Sequence, residues 1–171
     1  TTLFRSPSGA VLGDGAISVG DLPPATGSTF NPPDWLVVRT AADGSLLWKK
    51  RVVVSDSSYA GATSACTLSD GSIVIAGSRA TSFSTDRLGV VRMDASGNVL
   101  WARDFATGST NFSSRAASVV VQNDGNLAVV FQRDDAVGIV RLSPAGALVS
   151  ARSYALPGGG GSLSASDVVH A

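Results

Sequence analysis

Residues Leu88–Phe105 read LGVVRMDASGNVLWARDF. Two short apolar runs, Gly89–Met93 and Asn98–Trp101, flank the cluster Asp94-Ala95-Ser96-Gly97, and Asp, Ser and Gly between β-branched runs mark a hairpin. The same sentence is written twice more: LVVRTAADGSLLWKKRV at Leu36–Val52 and VGIVRLSPAGALVSARSY at Val137–Tyr154. Their arginines stand 92 − 39 = 53 and 141 − 92 = 49 residues apart, and Gly44, Gly97 and Gly146 keep the same offsets. A strand-built period near fifty residues is the mark of a propeller or a related array.

A second hairpin unit fills the gaps. Ser64–Gly77 reads SACTLSDGSIVIAG, and Ser118–Phe131 reads SVVVQNDGNLAVVF. Their Asp-Gly pairs lie 124 − 70 = 54 apart, and Asp14-Gly15 precedes the first by 70 − 14 = 56. Asp-Gly between apolar residues predicts a two-residue type I′ turn, which needs positive φ at both central positions. Each period therefore holds four strands, in the last complete copy Ser118–Gln122, Asn126–Phe131, Val137–Leu142 and Ala147–Tyr154. Runs such as VVV and IVI do not alternate, so both faces of those strands are covered.

The fold expected is all-β: three four-stranded antiparallel meanders serving as propeller blades, in one repeat domain divided near 8–63, 64–117 and 118–171. Propellers close with about four to eight blades. Three blades imply a partial propeller or half of a six-bladed ring. A surplus first strand at Ala165–Ala171 fits that reading, and its open edges favour self-association. A β-trefoil is the alternative, since three repeats of this length also suit it. The connections predicted at one end of the meanders (Ser-Asp-Gly, Asn-Asp-Gly, Ala-Ser-Gly) are short and alike. Those at the other end, about 21–34, 54–63, 78–86, 106–115, 132–135 and 155–164, vary in length and sequence. Variable loops on a rigid scaffold are where recognition sits.

Composition narrows the function. Thirteen basic and thirteen acidic side chains cancel, which removes the electrostatic case for nucleic acid or an anionic membrane. All the acids are Asp, and the only lysines are Lys49 and Lys50, so the strong helix formers Glu and Lys are nearly missing. No apolar run reaches the roughly twenty residues of a membrane span, so no membrane insertion is expected. The lone Cys66 builds no disulfide framework and reads as a small buried hydrophobe. One Cys and the single His170 make no zinc site, and no metal or other cofactor is expected. His170 stands one residue from the end, Gly158–Gly161 lacks the Lys of a phosphate loop, and Asp134-Asp135 reads as a turn cap. No catalytic residues assemble, and the chain is expected not to be an enzyme. Trp48 and Trp101, locked to the repeat and replaced by Ser150 in the third copy, read as packing residues between repeats. Arg39, Arg92 and Arg141 read as covering neighbouring strands or pairing with Asp.

The Asp94, Gly97 and Trp101 spacing, followed by a hairpin centred on Asp124-Gly125 (and Asp70-Gly71 before it), resembles the delta-60-like, SBBP-type repeats of bacterial β-propeller proteins. The likeness extends loosely over nearly the whole chain. It departs at Asp43, which directly precedes Gly44, and at Ser143 and Ser150. Gln122, Asp124 and Asn126 also fit part of a bulb-lectin mannose motif, which Ala128 and Val130 then break. The propeller resemblance implies a secreted or cell-surface scaffold and transfers no catalytic residue. The start at Thr1-Thr2, without Met, suits a removed leader or a piece of something longer. The expected function is a non-enzymatic binding or scaffolding module that recognises a protein or glycan through its variable loops. Tyr59, Asn111 and Phe112 are the first candidate contacts. A fragment of a larger propeller-containing enzyme and a self-assembling structural repeat are the alternatives.

Overall fold

The computed structural model describes residues 9–12, 15–22, 34–52, 59–82, 85–106, 115–133 and 136–155. They form twelve strands. The first sheet holds β1 (Gly9–Leu12), β2 (Gly15–Leu22), β3 (Asp34–Ala41) and β4 (Leu46–Val52). The second holds β5 (Tyr59–Thr67), β6 (Ile73–Ser82), β7 (Thr85–Met93) and β8 (Val99–Ala106). The third holds β9 (Arg115–Val121), β10 (Leu127–Arg133), β11 (Ala136–Leu142) and β12 (Leu148–Ala155). Each sheet is an antiparallel meander in chain order. Among the described residues no strand of one sheet pairs with a strand of another, so the trefoil alternative is corrected: its repeats would have to share one barrel.

The non-alternating apolar runs are explained by stacking. Ile73 and Ile75 join Ile17, Val19, Trp35 and Val37 in a core between the first and second sheets. Their neighbours Val74 and Ala76 point the other way and join Val119, Leu127, Val129 and Leu142 between the second and third. All four of these β6 residues are fully buried. Removing an Ile or Val from water is worth roughly 1.5–3 kcal/mol, so this one strand binds both junctions. The sheets lie closest at their first strands, where β5 packs against β1, β2 and β9. Small residues there (Gly61, Ala62, Ser64, Ala65) permit that approach. Two amides are also satisfied across sheets: Ala62 N donates to Asp21 Oδ1 at 3.1 Å, and Val119 N donates to Ser64 Oγ at 3.1 Å.

The two cores fill the same place with opposite partners. At the first junction the second sheet offers a cross-strand glycine pair, Gly77 opposite Gly89, and the Trp35 ring lies over both. At the second junction Phe131 stands where Gly77 stood. It covers Gly138 within its own sheet, and the residue facing it is the smaller Leu88.

Three expectations are corrected in detail. At Asp70-Gly71 and Asp124-Gly125 the turns are not two-residue type I′ turns, while Asp14 lies outside the described residues. Gly71 N donates to Leu68 O and Leu68 N to Ser72 O, which makes a three-residue loop ending in a glycine bulge, with Gly71 at φ +78°. The same pattern recurs around Gly125, so Asp precedes the positive-φ position and does not occupy it. The first strands begin earlier, at Tyr59 and Arg115 rather than Ser64 and Ser118, because their small residues carry no apolar pattern. The connection placed at 78–86 shrinks to 83–84, since β6 runs to Ser82 and β7 starts at Thr85. The surplus strand at Ala165–Ala171 lies outside the described residues.

Candidate interaction site

The repeat-locked residues assemble into a latch at each junction. In every copy the register between the third and fourth strands slips just after the arginine, at Arg39/Thr40, Arg92/Met93 and Arg141/Leu142. The extra residue on the fourth strand is Leu47, Leu100 or Val149, each about half exposed. Such a bulge re-aims the neighbouring side chain and blunts an edge strand. It leaves Arg39 directly opposite Trp48, and Arg92 opposite Trp101.

Both side chains of each pair then reach one carbonyl of the next sheet. Arg39 Nη1 and Trp48 Nε1 donate to Ala95 O at 2.7 and 3.0 Å. Arg92 Nη1 and Trp101 Nε1 donate to Pro144 O at 2.6 and 3.0 Å. The receiving turn must end in glycine twice over. Gly146 has φ +81°, and a methyl group there would stand 3.0–3.2 Å from the Trp101 ring. Gly97 is equally tight against Lys50 and Trp48. The Arg103 guanidinium lies over the Trp101 ring at 5.9 Å from its centroid.

The remaining nitrogens of Arg92 are spent within the sheet. Arg92 Nε donates to Ser72 Oγ at 2.9 Å and Nη2 to Asp70 Oδ2 at 2.6 Å. Arg141 repeats this with Gln122 Oε1 and Asp124 Oδ2, both at 2.7 Å. The repeating Trp and Arg residues thus do what their sequence pattern predicts, packing and pairing between and within repeats.

The turn carboxylates are consumed as caps. Asp94 accepts from the Asn98 amide at 2.8 Å and the Ser96 amide at 2.9 Å, and Asp124 from the Asn126 amide at 3.0 Å. The Asn98 amide and side chain hold the Asp94 carboxyl below its ordinary range, and those of Asn126 do the same for Asp124. For Asp70 and Asp43 the cause is the hydroxyl and amide of Ser72 and Ser45. Carboxylates held ionised by their own turns are poor proton donors near neutral pH. Asp21 is shifted the other way: burial against β5 pushes its carboxyl up, opposed by the Ala62 amide. Burial also pushes the Cys66 thiol up to about 12, which makes it an inert, half-buried packing group.

Two grooves open between neighbouring sheets, with cavities of about 280 and 400 Å³. They are the same gap one junction apart. Trp35, Val99, Ala102 and Arg103 line the first, and Leu88, Leu148, Ala151 and Arg152 take the equivalent places in the second. In the first, Arg51 is paired with Asp34 and Arg79 with Asp104. Among the described residues no group of three or more His, Cys, Asp or Glu could hold a metal ion.

The sequence-predicted contacts are not brought together. Tyr59 opens β5, its backbone opposite Ala80, rather than lying in a loop. Asn111 and Phe112 lie outside the described residues, as do Asp134-Asp135, Gly158–Gly161 and His170. The partners that sequence reading missed are the receiving carbonyls of Ala95 and Pro144, which no side-chain pattern marks.

No family model matches the chain, and no curated protein does. A solved structure from Bacteroides caccae, a protein of unknown function, is similar to it at 15% identity and a TM-score of 0.55. The match covers 89% of this chain and 47% of that one, so this chain spans about half its length. At that identity the likeness speaks for the all-β fold alone.

Proposed function

We propose that the chain is a run of propeller-type blades acting as a non-enzymatic binding or scaffolding module of a secreted or cell-surface protein. One observation carries this reading. At one end of the sheets the described turns are short and of one conformation, their Asp side chains capping their own backbone and those at the two junctions engaged with the neighbouring sheet, so they offer little variety for recognising a ligand. Recognition then falls to the opposite end, where the connections 23–33, 53–58 and 107–114 leave the strands. A protein or glycan partner meets those connections, with Tyr59, Asn111 and Phe112 as first contacts. The test is binding to a panel of cell-surface glycans and extracellular proteins, comparing the native chain with Tyr59→Ala/Asn111→Ala/Phe112→Ala. Loss of a hit in the triple variant supports the reading. Hits that survive all three changes sink it.

The second reading is a piece of a longer propeller protein whose chemistry lies elsewhere. The half-length match to the Bacteroides caccae structure favours it. Clustered His or Glu in further repeats of the parent reading frame would decide for it.

A further inference from the structure

The latch is filled at two junctions and half-built at both ends of the stack. On the third sheet Arg141 is held by Gln122 and Asp124 just as Arg92 is held by Ser72 and Asp70. Arg92 spends its last nitrogen, Nη1, on the next sheet, whereas Arg141 Nη1 has no partner among the described residues. On the first sheet the turn Ala41–Ser45 has the same hydrogen bonds as the receiving turns Asp94–Asn98 and Ser143–Ala147. Ala42 there corresponds to the acceptors Ala95 and Pro144. Gly44 corresponds to Gly97 and Gly146 and has the same positive φ, +83°, yet a methyl group on it would meet nothing within 4 Å. Among the described residues the chain thus carries an unused donor at one end and an unused receiver at the other.

The residues around these two halves are complementary in charge. Lys50 lies against Gly97 of the second sheet, and its equivalents are Arg103 and Arg152. The receiving turns at the filled junctions carry neutral Ser96 and Ala145 beside their glycine. The open turn carries Asp43, which is exposed. Beside the turn glycine, a basic residue of the fourth strand thus meets a carboxylate only at the open turn.

We propose that the third sheet of one copy docks on the first sheet of a second copy. Arg141 Nη1 donates to the Ala42 carbonyl, and Arg152 pairs with Asp43. This inference rests on the blade reading above. Two such contacts, related by a two-fold axis, close a ring of six sheets, within the range of about four to eight in which propellers close. Ser150 stands where Trp48 and Trp101 stand at the internal junctions, so this contact lacks its ring and is weaker than they are.

The experiment is sedimentation equilibrium of the full chain over a concentration series. The expected result is a reversible monomer–dimer equilibrium that stops at two chains. Asp43→Lys and Arg152→Asp each weaken it by roughly tenfold or more, the scale of a close interfacial charge pair. The double variant, which exchanges the charges, restores it. Ser150→Trp supplies the missing ring and tightens the dimer. A monomer at the highest soluble concentration overturns the proposal, and so does growth beyond two chains. Association indifferent to Asp43→Lys overturns it as well. None of these substitutions touches Tyr59, Asn111 or Phe112, so failure here is distinct from failure of the loop-recognition reading.

Discussion

Replacing Trp101 by alanine separates the latch from the cores it fastens. A tryptophan buries about 150–250 Å² when fully enclosed. Trp101 is half-buried, so at about 25 cal/mol per Å² its ring contributes roughly 2–3 kcal/mol. Its hydrogen bond to Pro144 O, 3.0 Å long, adds about 1 kcal/mol. The carbonyl is not orphaned by the change, because Arg92 Nη1 still donates to it at 2.6 Å, so no desolvation penalty adds to the sum. Trp101→Ala should therefore cost about 3–4 kcal/mol, and Trp101→Phe, which keeps most of the packing, about 1 kcal/mol. The Ser150→Ala change sits at the equivalent position, which faces no further sheet among the described residues, and should stay within about 0.5 kcal/mol. The assay is urea unfolding followed by far-ultraviolet circular dichroism, which does not depend on the indole being removed. In a stack whose units touch only their neighbours, cutting one junction also lowers cooperativity. The Trp101→Ala transition should broaden as the third sheet melts ahead of the other two. A Trp101→Ala variant within about 0.5 kcal/mol of the native chain, with an unbroadened transition, would show that the cores alone hold the sheets together.

Gly44→Ala and Gly146→Ala separate conformation from contact. Both pay the left-handed penalty of about 1–2 kcal/mol, but only Gly146→Ala also drives a methyl group into the Trp101 ring, so its urea midpoint should fall further. Stability should fall in acid. The carboxyls of Asp43, Asp70, Asp94 and Asp124 are held below their ordinary value of 3.8, so their contribution is present above that value and lost as pH drops through the lower folded values. Asp21 has the opposite sign, since its raised carboxyl favours folding at low pH and loses that contribution as pH rises, so melting temperatures against pH should show Asp21→Asn least harmful at neutral pH. Phe131→Gly should cost about 3–5 kcal/mol and Leu88→Trp about 1–3 kcal/mol, while the double variant, which copies the Trp35 and Gly77 arrangement, should cost less than their sum in a chemical-denaturation cycle.

How far the sequence was legible depends on the range of the interaction that decides each feature. The strands of the third repeat were placed to within a few residues, because short apolar runs and glycine turns are local signals. The turn type was not. Asp-Gly suits both a two-residue type I′ loop and a three-residue loop with a glycine bulge, and the choice falls to the register of the flanking strands, Thr67 opposite Ile73. The start of β5 was hidden for a related reason. Tyr59–Ala65 is rich in Ala, Gly, Ser and Thr because the sheets crowd there, and small residues selected by crowding look like a loop. The repeat spacing of Trp48, Trp101 and the arginines was visible, but their targets are main-chain oxygens of another repeat, which carry no residue signature. Tyr59, Asn111 and Phe112 rested on loop position alone, and Tyr59 lies in a strand.

The latch also explains why the repeats tolerate unequal spacing while keeping their order. The periods differ, 53 against 49 residues, yet each Arg–Trp pair finds its carbonyl, because everything that sets the geometry lies within one hairpin and the turn it touches. The bulge, the cross-strand arginine, the tryptophan and the glycine turn form one short cassette. The connections at the far end of the strands enter none of those hydrogen bonds. They can lengthen or shorten without moving the junction. The cores behave differently, since Trp35 over Gly77 and Phe131 over Gly138 are two separate solutions to the same space and cannot be exchanged one residue at a time. Junction identity therefore lies in the cores, and junction geometry in the latch. On the docking proposed above, a stack built this way adds a further sheet, or a second copy, wherever an Arg141-type donor meets an open Gly44-type turn, and variation is left free at the opposite end, where recognition is proposed.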